Sequence, residues 1–265
     1  MTPSDQLPRN SERSQMESYL HVLHALILRD MRTRFGGSHW GYAVVVLWPV
    51  AHVFMLVLIF TLRGVPSPIG NSRPLFFATG AVPVLAFQYI AREVMKAVAS
   101  NRPLTYYPQV KLFDVIISRI LVEIVTGFLG LLTVFSILFA AGINPMPLDP
   151  FTSMCGYLAA ILLGIGVGTV NVCIAAYFPA WHFGFILFTI IVYTTSGVMF
   201  LPNYFPDKIY DVLKYNPAVQ IIEWVRLGYY PGMPVTVDYT YVIFFGLTTL
   251  LIGLVLEHEV VRKIS

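Results

Sequence analysis

Charge is scarce in this sequence. Asp, Glu, Lys and Arg make up 12% of its 265 residues, while 57% are hydrophobic. A soluble domain carries about 25% charged residues. That shortfall, together with several apolar runs of about 18 residues or more, excludes an ordinary water-soluble domain and predicts a chain that crosses a membrane repeatedly. Cysteine is nearly absent. Cys155 and Cys173 are the two present, and both fall inside one predicted span, too far apart along a helix to bridge, so no structural disulfide is expected. There is no GxxxxGK[ST] phosphate loop, which excludes ATP hydrolysis by that route. No HExxH, paired CxxC or cluster of intramembrane carboxylates suggests a catalytic or metal site. The net charge of +3 gives no sign of nucleic-acid binding. No internal repeat is visible, which speaks against an inverted-repeat secondary transporter.

What is present is a series of apolar runs. Six spans are predicted: Gly41–Leu62, Leu75–Ala91, Val115–Ala141, Phe151–Phe178, Phe183–Phe200 and Tyr239–Leu256. The second continues as helix past Arg92, and the fifth is short. The first 38 residues are polar and lack the apolar core and small-residue cleavage site of a signal peptide. They form a cytoplasmic N-terminal segment (1–38) ahead of a transmembrane domain (39–265). Lys and Arg divide unevenly between the two sides. Twelve flank one side, on the N-terminal segment, the loop between spans two and three and the C-terminal tail; five flank the other. The positive-inside rule therefore predicts that both termini are cytoplasmic.

Residues Met16 to Arg29 sort at 100° per residue into an apolar face (Tyr19, Leu23, Leu26, Ile27) and a polar face (Glu17, His21, His24, Arg29). This predicts an interfacial helix lying on the membrane. His21 and His24 lack a further ligand nearby, so no metal is expected. "RDMRTRFGGSHWGY" follows. Arg29, Arg32 and Arg34 end the helix, and Trp40 and Tyr42 sit at headgroup depth. The three arginines suit either anionic lipid or a phosphate on a lipid-linked substrate. The one substantial cytoplasmic loop between spans, "NRPLTYYPQVKLFD", carries Pro103, Pro108, Tyr106 and Tyr107, a composition that predicts a docking site for a cytoplasmic partner.

Intramembrane ionisable residues are few: His52 and Glu123, with Arg92, Glu93 and Arg119 near span ends. Arg119 and Glu123 are spaced i, i+4 and are expected to pair. Aromatic residues reach 14%, and Tyr89, Tyr177, Phe188 and Tyr193 are candidates for lining a conduit, where rings can stack on sugar faces. In span four, Gly164 and Gly168 make a GxxxG pair, read as close helix packing, and Asn171 is placed to bond between helices. After span five, "LPNYFPDKIYDVLKY" and "NPAVQIIEWVR" read as two short half-helices on the periplasmic side, dipping into the outer leaflet. Glu223 and Arg226 then either pair locally or clamp this cap to a neighbouring span, and "GYYPG" (Gly228–Gly232) is the hinge to the last span.

These segments, taken in order, resemble the permease subunits of type-two ABC exporters, most closely those that export capsular polysaccharide. The resemblance rests on "RDMRTRFGGSHWGYAVVVLWPVAHV", "FFATGAVPVLAF", "SGVMFLPNYFP" and "LKYNPAVQIIEWVRLGYY", and it covers nearly the whole chain. Trp48 stands where the first-span motif usually has an acidic residue. The resemblance implies an all-α integral membrane protein with six transmembrane helices, an N-terminal amphipathic interface helix and two short re-entrant periplasmic half-helices before the last span, in a bacterial inner membrane. It implies a homodimer with two cytoplasmic ATPase subunits, which hold ATP and Mg while this chain holds no cofactor. Periplasmic polysaccharide co-polymerase and outer-membrane export proteins would complete the path of a lipid-linked acidic glycan. Asn101, Arg102, Tyr106, Tyr107, Gln109 and Lys111 would couple to the ATPase. Arg29, Arg32, Arg34, Trp40 and Tyr42 would form the substrate entrance. Asn216, Pro217, Glu223, Arg226, Tyr229 and Tyr230 would form a periplasmic gate. Near alternatives are exporters of O-antigen or teichoic acid. From other classes, the alternatives are a membrane-embedded lipid-modifying enzyme, with Asp207, Asp211, Glu223 and Asp238 as its acid–base candidates, and an ion-coupled secondary transporter.

Overall fold

A computed structural model describes residues 15–34, 39–101 and 110–264, and every regular element among them is helical. In chain order these are α1 (Gln15–Arg34), α2 (His39–Leu62), α3 (Arg73–Asn101), α4 (Leu112–Ala140), α5 (Pro150–Tyr177), α6 (Trp181–Thr195), α7 (Asp207–Leu213), α8 (Pro217–Tyr229) and α9 (Tyr239–Ile264). Five of them, α2 to α5 and α9, are long and apolar enough to cross a membrane. The fifth predicted span, Phe183–Phe200, is shorter than expected. Its helix α6 has 15 residues and rises about 22 Å, against about 30 Å of bilayer hydrocarbon. The reason is local: Gly197 takes φ +86° just past the helix end, a left-handed conformation that glycine adopts without a Cβ clash and that turns the chain out of the helix. The second span continues past Arg92 as expected, to Asn101, and α1 extends beyond Arg29 to Arg34.

α5 occupies the centre and packs along α3 on one side and α9 on the other. Its glycines explain how the backbones come so close. A Cβ on Gly164 would lie 3.0 Å from the Phe87 carbonyl oxygen, and one on Gly168 would lie 3.1 Å from the Ala91 Cα. The GxxxG pair therefore faces α3, while Gly166 faces α9, where a Cβ would meet the Gly246 carbonyl at 2.6 Å. Asn171 accepts a hydrogen bond from Trp181 Nε1 at 2.8 Å, joining α5 to the start of α6.

The short helices differ in burial. α7 has seven residues and no buried side chain. α8 has 13 residues, and all but two are buried, against α5 and α3. It starts sharply: Asn216 caps it by accepting from the Ala218 N–H at 3.0 Å, and Pro217 occupies the first helical position, where a missing N–H costs nothing. α5 starts the same way. Asp149 accepts from the Thr152 N–H and hydroxyl, bonds that hold its carboxyl below the usual carboxylate range. α6 buries one stripe, Phe185, Thr189 and Tyr193, spaced four apart.

Candidate functional site

Two polar centres stand at opposite ends of the helical body. The first lies in α8. Arg226 is fully buried. Its guanidinium donates to the carbonyls of Gly197 (2.8 Å), Val198 (3.1 Å), Phe76 (3.3 Å) and Phe200 (3.4 Å), and it lies 4.0 Å above the Phe76 ring. Among the described residues, no backbone N–H reaches the Gly197, Val198 or Phe200 carbonyls, so the arginine satisfies them. Gly80 makes the space: a Cβ there would sit 2.6 Å from Arg226 Nη2. Arg226 thus ties α8 to α3 and to the turn that ends α6.

Glu223, one turn earlier and fully buried, makes no ion pair with Arg226, and among the described residues neither carboxylate oxygen has a hydrogen-bond partner. Of the two arrangements the sequence left open for this pair, the local ion pair is not formed, and Arg226 alone reaches α3 and the α6 turn. Asn216 adds a tie to α6, donating to Thr195 Oγ1 at 3.0 Å and the Val192 carbonyl at 3.3 Å. At the other end of α8, Gly228 presses on the start of α5. A Cβ there would lie 2.6 Å from the Asp149 carbonyl oxygen, while the Gly228 carbonyl accepts from the Asp149 N–H at 2.8 Å. Tyr229 is buried, Tyr230 half-buried, and their rings lie 6.4 Å apart. Gly232 takes φ +90°, so the segment after α8 does contain a sharp turn.

The second centre joins α1 to α3 and α4. Arg119 of α4 pairs with Asp30 of α1 at 2.8 Å, both side chains 5% exposed, and approaches Glu93 of α3 at 3.9 Å. Glu93 in turn accepts from Lys96 at 2.8 Å. The pairing expected within α4, between Arg119 and Glu123, gives way to this link between helices, because Asp30 presents a carboxylate to the same guanidinium. Arg29 Nη1 donates to Asn101 Oδ1 at 3.3 Å, and Asn101, buried at the end of α3, donates to the Ala97 carbonyl. Lys111 caps α4 and is exposed, its N–H donating to Asp114 Oδ2 at 3.0 Å. Arg102, Tyr106, Tyr107 and Gln109 lie outside the described residues, and so does the Arg34 side chain.

No family model matches the chain. It is 30% identical to the polysialic acid transport protein KpsM of Escherichia coli over 248 residues, covering 92% of this chain and 95% of that protein. It is 25% identical to the capsule polysaccharide export inner-membrane protein CtrC of Neisseria meningitidis serogroup B, over 88% of each. It is 22% identical to the capsule polysaccharide export inner-membrane protein BexB of Haemophilus influenzae, over 89% of each. The chain belongs to this family of capsule-export inner-membrane proteins.

In this capsule-export chain, the residues expected at a substrate entrance do not share one environment. Arg32 is exposed, Trp40 is 82% exposed and Tyr42 is half-buried, whereas Arg29 is engaged with Asn101. The aromatic candidates are also spread. Tyr193 is buried, with its hydroxyl 2.8 Å from His52 Nε2, joining α6 to α2. Tyr89 lies under the Arg92 guanidinium, 4.7 Å away. Tyr177 and Phe188 are exposed. Among the described residues no group of three or more His, Cys, Asp or Glu side chains is placed to hold a metal ion. Asp30 and Gly80 were missed by sequence reasoning. Asp30 is a lone acid between Arg29 and Met31 and Arg32, a signal of charge pairing that the amphipathic pattern of α1 obscured. Gly80 carries no local signal, because its function is to leave room for a residue 146 positions away.

Proposed function

We propose that this chain is the membrane-spanning subunit of an ATP-driven exporter that carries lipid-linked capsular polysaccharide from the cytoplasm to the periplasm. The observation that carries the reading is the 30% identity to KpsM across 92% of the chain. Two chains form the permease, and two separate ATPase subunits supply ATP hydrolysis, in keeping with a sequence that has no phosphate-binding loop. Both termini face the cytoplasm, α6 serves as the fifth of six crossings, and α8 is a re-entrant element at the periplasmic end. The burial of α8 against α3 and α5 supports that placement, since non-helix-length backbone is tolerated at membrane depth where protein covers it.

The two polar centres fit the two ends of such a machine. At the cytoplasmic end, α1 and the segment from Asn101 to Lys111 form the contact for the ATPase. The Asp30–Arg119 pair and the Arg29–Asn101 bond make α1 move with the ends of both helices that flank that segment. At the periplasmic end, Arg226 holds α8 and the α6 turn closed over α3. A polysaccharide co-polymerase and an outer-membrane protein continue the path. The test has two parts. A cell lacking the gene should regain surface capsule when the chain is restored, and an ATPase subunit should copurify with the chain. Failure to restore capsule in a strain that makes the glycan would overturn the reading. Retention of the ATPase by a Tyr106→Ala, Tyr107→Ala variant would overturn the coupling assignment alone.

A further inference from the structure

A cavity of about 420 Å³ lies between α2, α3 and α4, within the range of small-molecule sites, about 300–1,000 Å³. Its wall on α3 runs from Val82 to Lys96, a helical rise of about 21 Å, more than half the hydrocarbon thickness. The two ends differ in chemistry. Toward Val82 and Val134 the lining is apolar, aliphatic side chains with the rings of Trp48 and Tyr89, and toward the α1 end it carries Arg92, Glu93, Lys96 and Glu123. The cations stand outermost: the Arg92 and Lys96 side chains are 33% and 41% exposed, Glu93 is 11% exposed and Glu123 is buried. Glu93 sits behind its neighbours, accepting from Lys96 at 2.8 Å and lying 3.9 Å from Arg92 Nε. An incoming group therefore meets N–H donors first.

A second, independent feature is the α4 wall. Gly127 and Gly130 both line the cavity. A Cβ on Gly127 would meet nothing within 4 Å, and one on Gly130 would meet only the Val46 carbonyl at 3.9 Å. These glycines do not serve close helix packing, unlike Gly164 and Gly168 of α5. They leave space that the protein itself does not fill.

We propose that the cavity between α2, α3 and α4 is a lipid site that takes one acyl chain along its aliphatic length and a phosphate-bearing headgroup at Arg92 and Lys96. A slot that is apolar at one end and presents Arg92 and Lys96 outermost, ahead of Glu93 and Glu123, at the other matches that amphiphile, and basic residues between spans are the usual partners of anionic lipid headgroups. The chemistry is common to an anionic phospholipid of the bilayer and to the lipid end of the glycan. The second identity rests on the export reading above; the site itself does not.

The test uses the full chain with its ATPase partner in nanodiscs of equal phosphatidylglycerol and phosphatidylcholine, with retained lipid counted by native mass spectrometry. The wild type should hold one phosphatidylglycerol per chain. Gly127→Phe, which fills the cavity, should lose it while keeping the elution and melting behaviour of the wild type. Arg92→Gln should retain lipid but lose about tenfold of the preference for phosphatidylglycerol, the ratio that one charge-assisted hydrogen bond is worth. No retained lipid in the wild type, or undiminished lipid in a folded Gly127→Phe, overturns the site. If Gly127→Phe does not fold, an unchanged headgroup preference in Arg92→Gln with Lys96→Gln overturns it instead. Capsule assays then separate the sources. Loss of export by Gly127→Phe with the ATPase still bound identifies the lipid end of the glycan, and normal export identifies a bilayer lipid. A wild-type chain that holds lipid but restores no capsule refutes the export reading and leaves the site standing.

Discussion

Replacing Arg226 by Met removes the clamp while keeping an unbranched side chain in its place. The guanidinium makes two short bonds, to Gly197 at 2.8 Å and Val198 at 3.1 Å, and two longer ones to Phe76 and Phe200. Hydrogen bonds from a charged donor contribute about 1.5–3 kcal/mol each, so the two short ones alone give about 3–6 kcal/mol. The carbonyls of the turn have no backbone donor to replace it, so little of that loss should be recovered. Glu223→Gln should behave differently. Among the described residues neither oxygen of that buried carboxylate has a donor, and an amide in its place removes a charge that none of them hydrogen-bonds. That variant should be neutral or stabilising, within about 1 kcal/mol. A double-mutant cycle should then show an interaction energy below about 1 kcal/mol. The assay is unfolding of the purified chain in mixed micelles, followed by tryptophan fluorescence. A loss under 1 kcal/mol for Arg226→Met, or a large coupling between the two positions, would refute the clamp.

Other substitutions follow from the same geometry. Asp30→Asn and Arg119→Gln should each cost about 3–5 kcal/mol, because each breaks a buried 2.8 Å ion pair between helices, read by the same unfolding assay. Gly156→Ala should cost about 1–3 kcal/mol by overpacking, since its Cβ would lie 2.9 Å from the Val225 backbone nitrogen. Tyr193→Phe removes the bond to His52 and should cost about 0.5–1.5 kcal/mol in the same unfolding assay. Arg32→Gln, at an exposed position, should leave folding unchanged and so report on substrate entry alone through the capsule assay.

Helix existence was legible in the sequence wherever the apolar run was long, because a bilayer-length stretch with little charge has few other solutions. Local start signals were legible too: Asn216-Pro217 marks the first turn of α8, and the GxxxG pair marks the closest approach of α5 to α3. The failures share a cause. Arg119 was matched to Glu123 by spacing within one helix, yet its partner is Asp30, on a helix almost ninety residues earlier. Spacing rules rank neighbours along a helix and are silent about a carboxylate brought in from another. The end of α6 was misplaced because an apolar run continues from Thr195 into Phe200, while Gly197 and the carbonyls that Arg226 needs turn the backbone out of the helix. Hydropathy cannot register that competition, since the deciding residue lies 29 positions later.

The distribution of contacts separates what is fixed from what is held lightly. α3, α5 and α9 meet through glycines with backbone atoms in near contact, and an interface of that kind separates only by losing many dispersion contacts together. α6 buries a single stripe and is held by side-chain ties: Tyr193 to His52, Gln88 to the Thr189 carbonyl, and Asn216 to Val192 and Thr195. Each such bond contributes about 0.5–1.5 kcal/mol net and re-forms easily with another donor or acceptor. The turn that follows α6 is held more firmly, by the buried Arg226 guanidinium and by the burial of Ser196, Val198 and Leu201. α6 is thus held along its length by those side-chain bonds and one buried stripe, and at its end by the clamp, whereas α3, α5 and α9 are held by backbone contact.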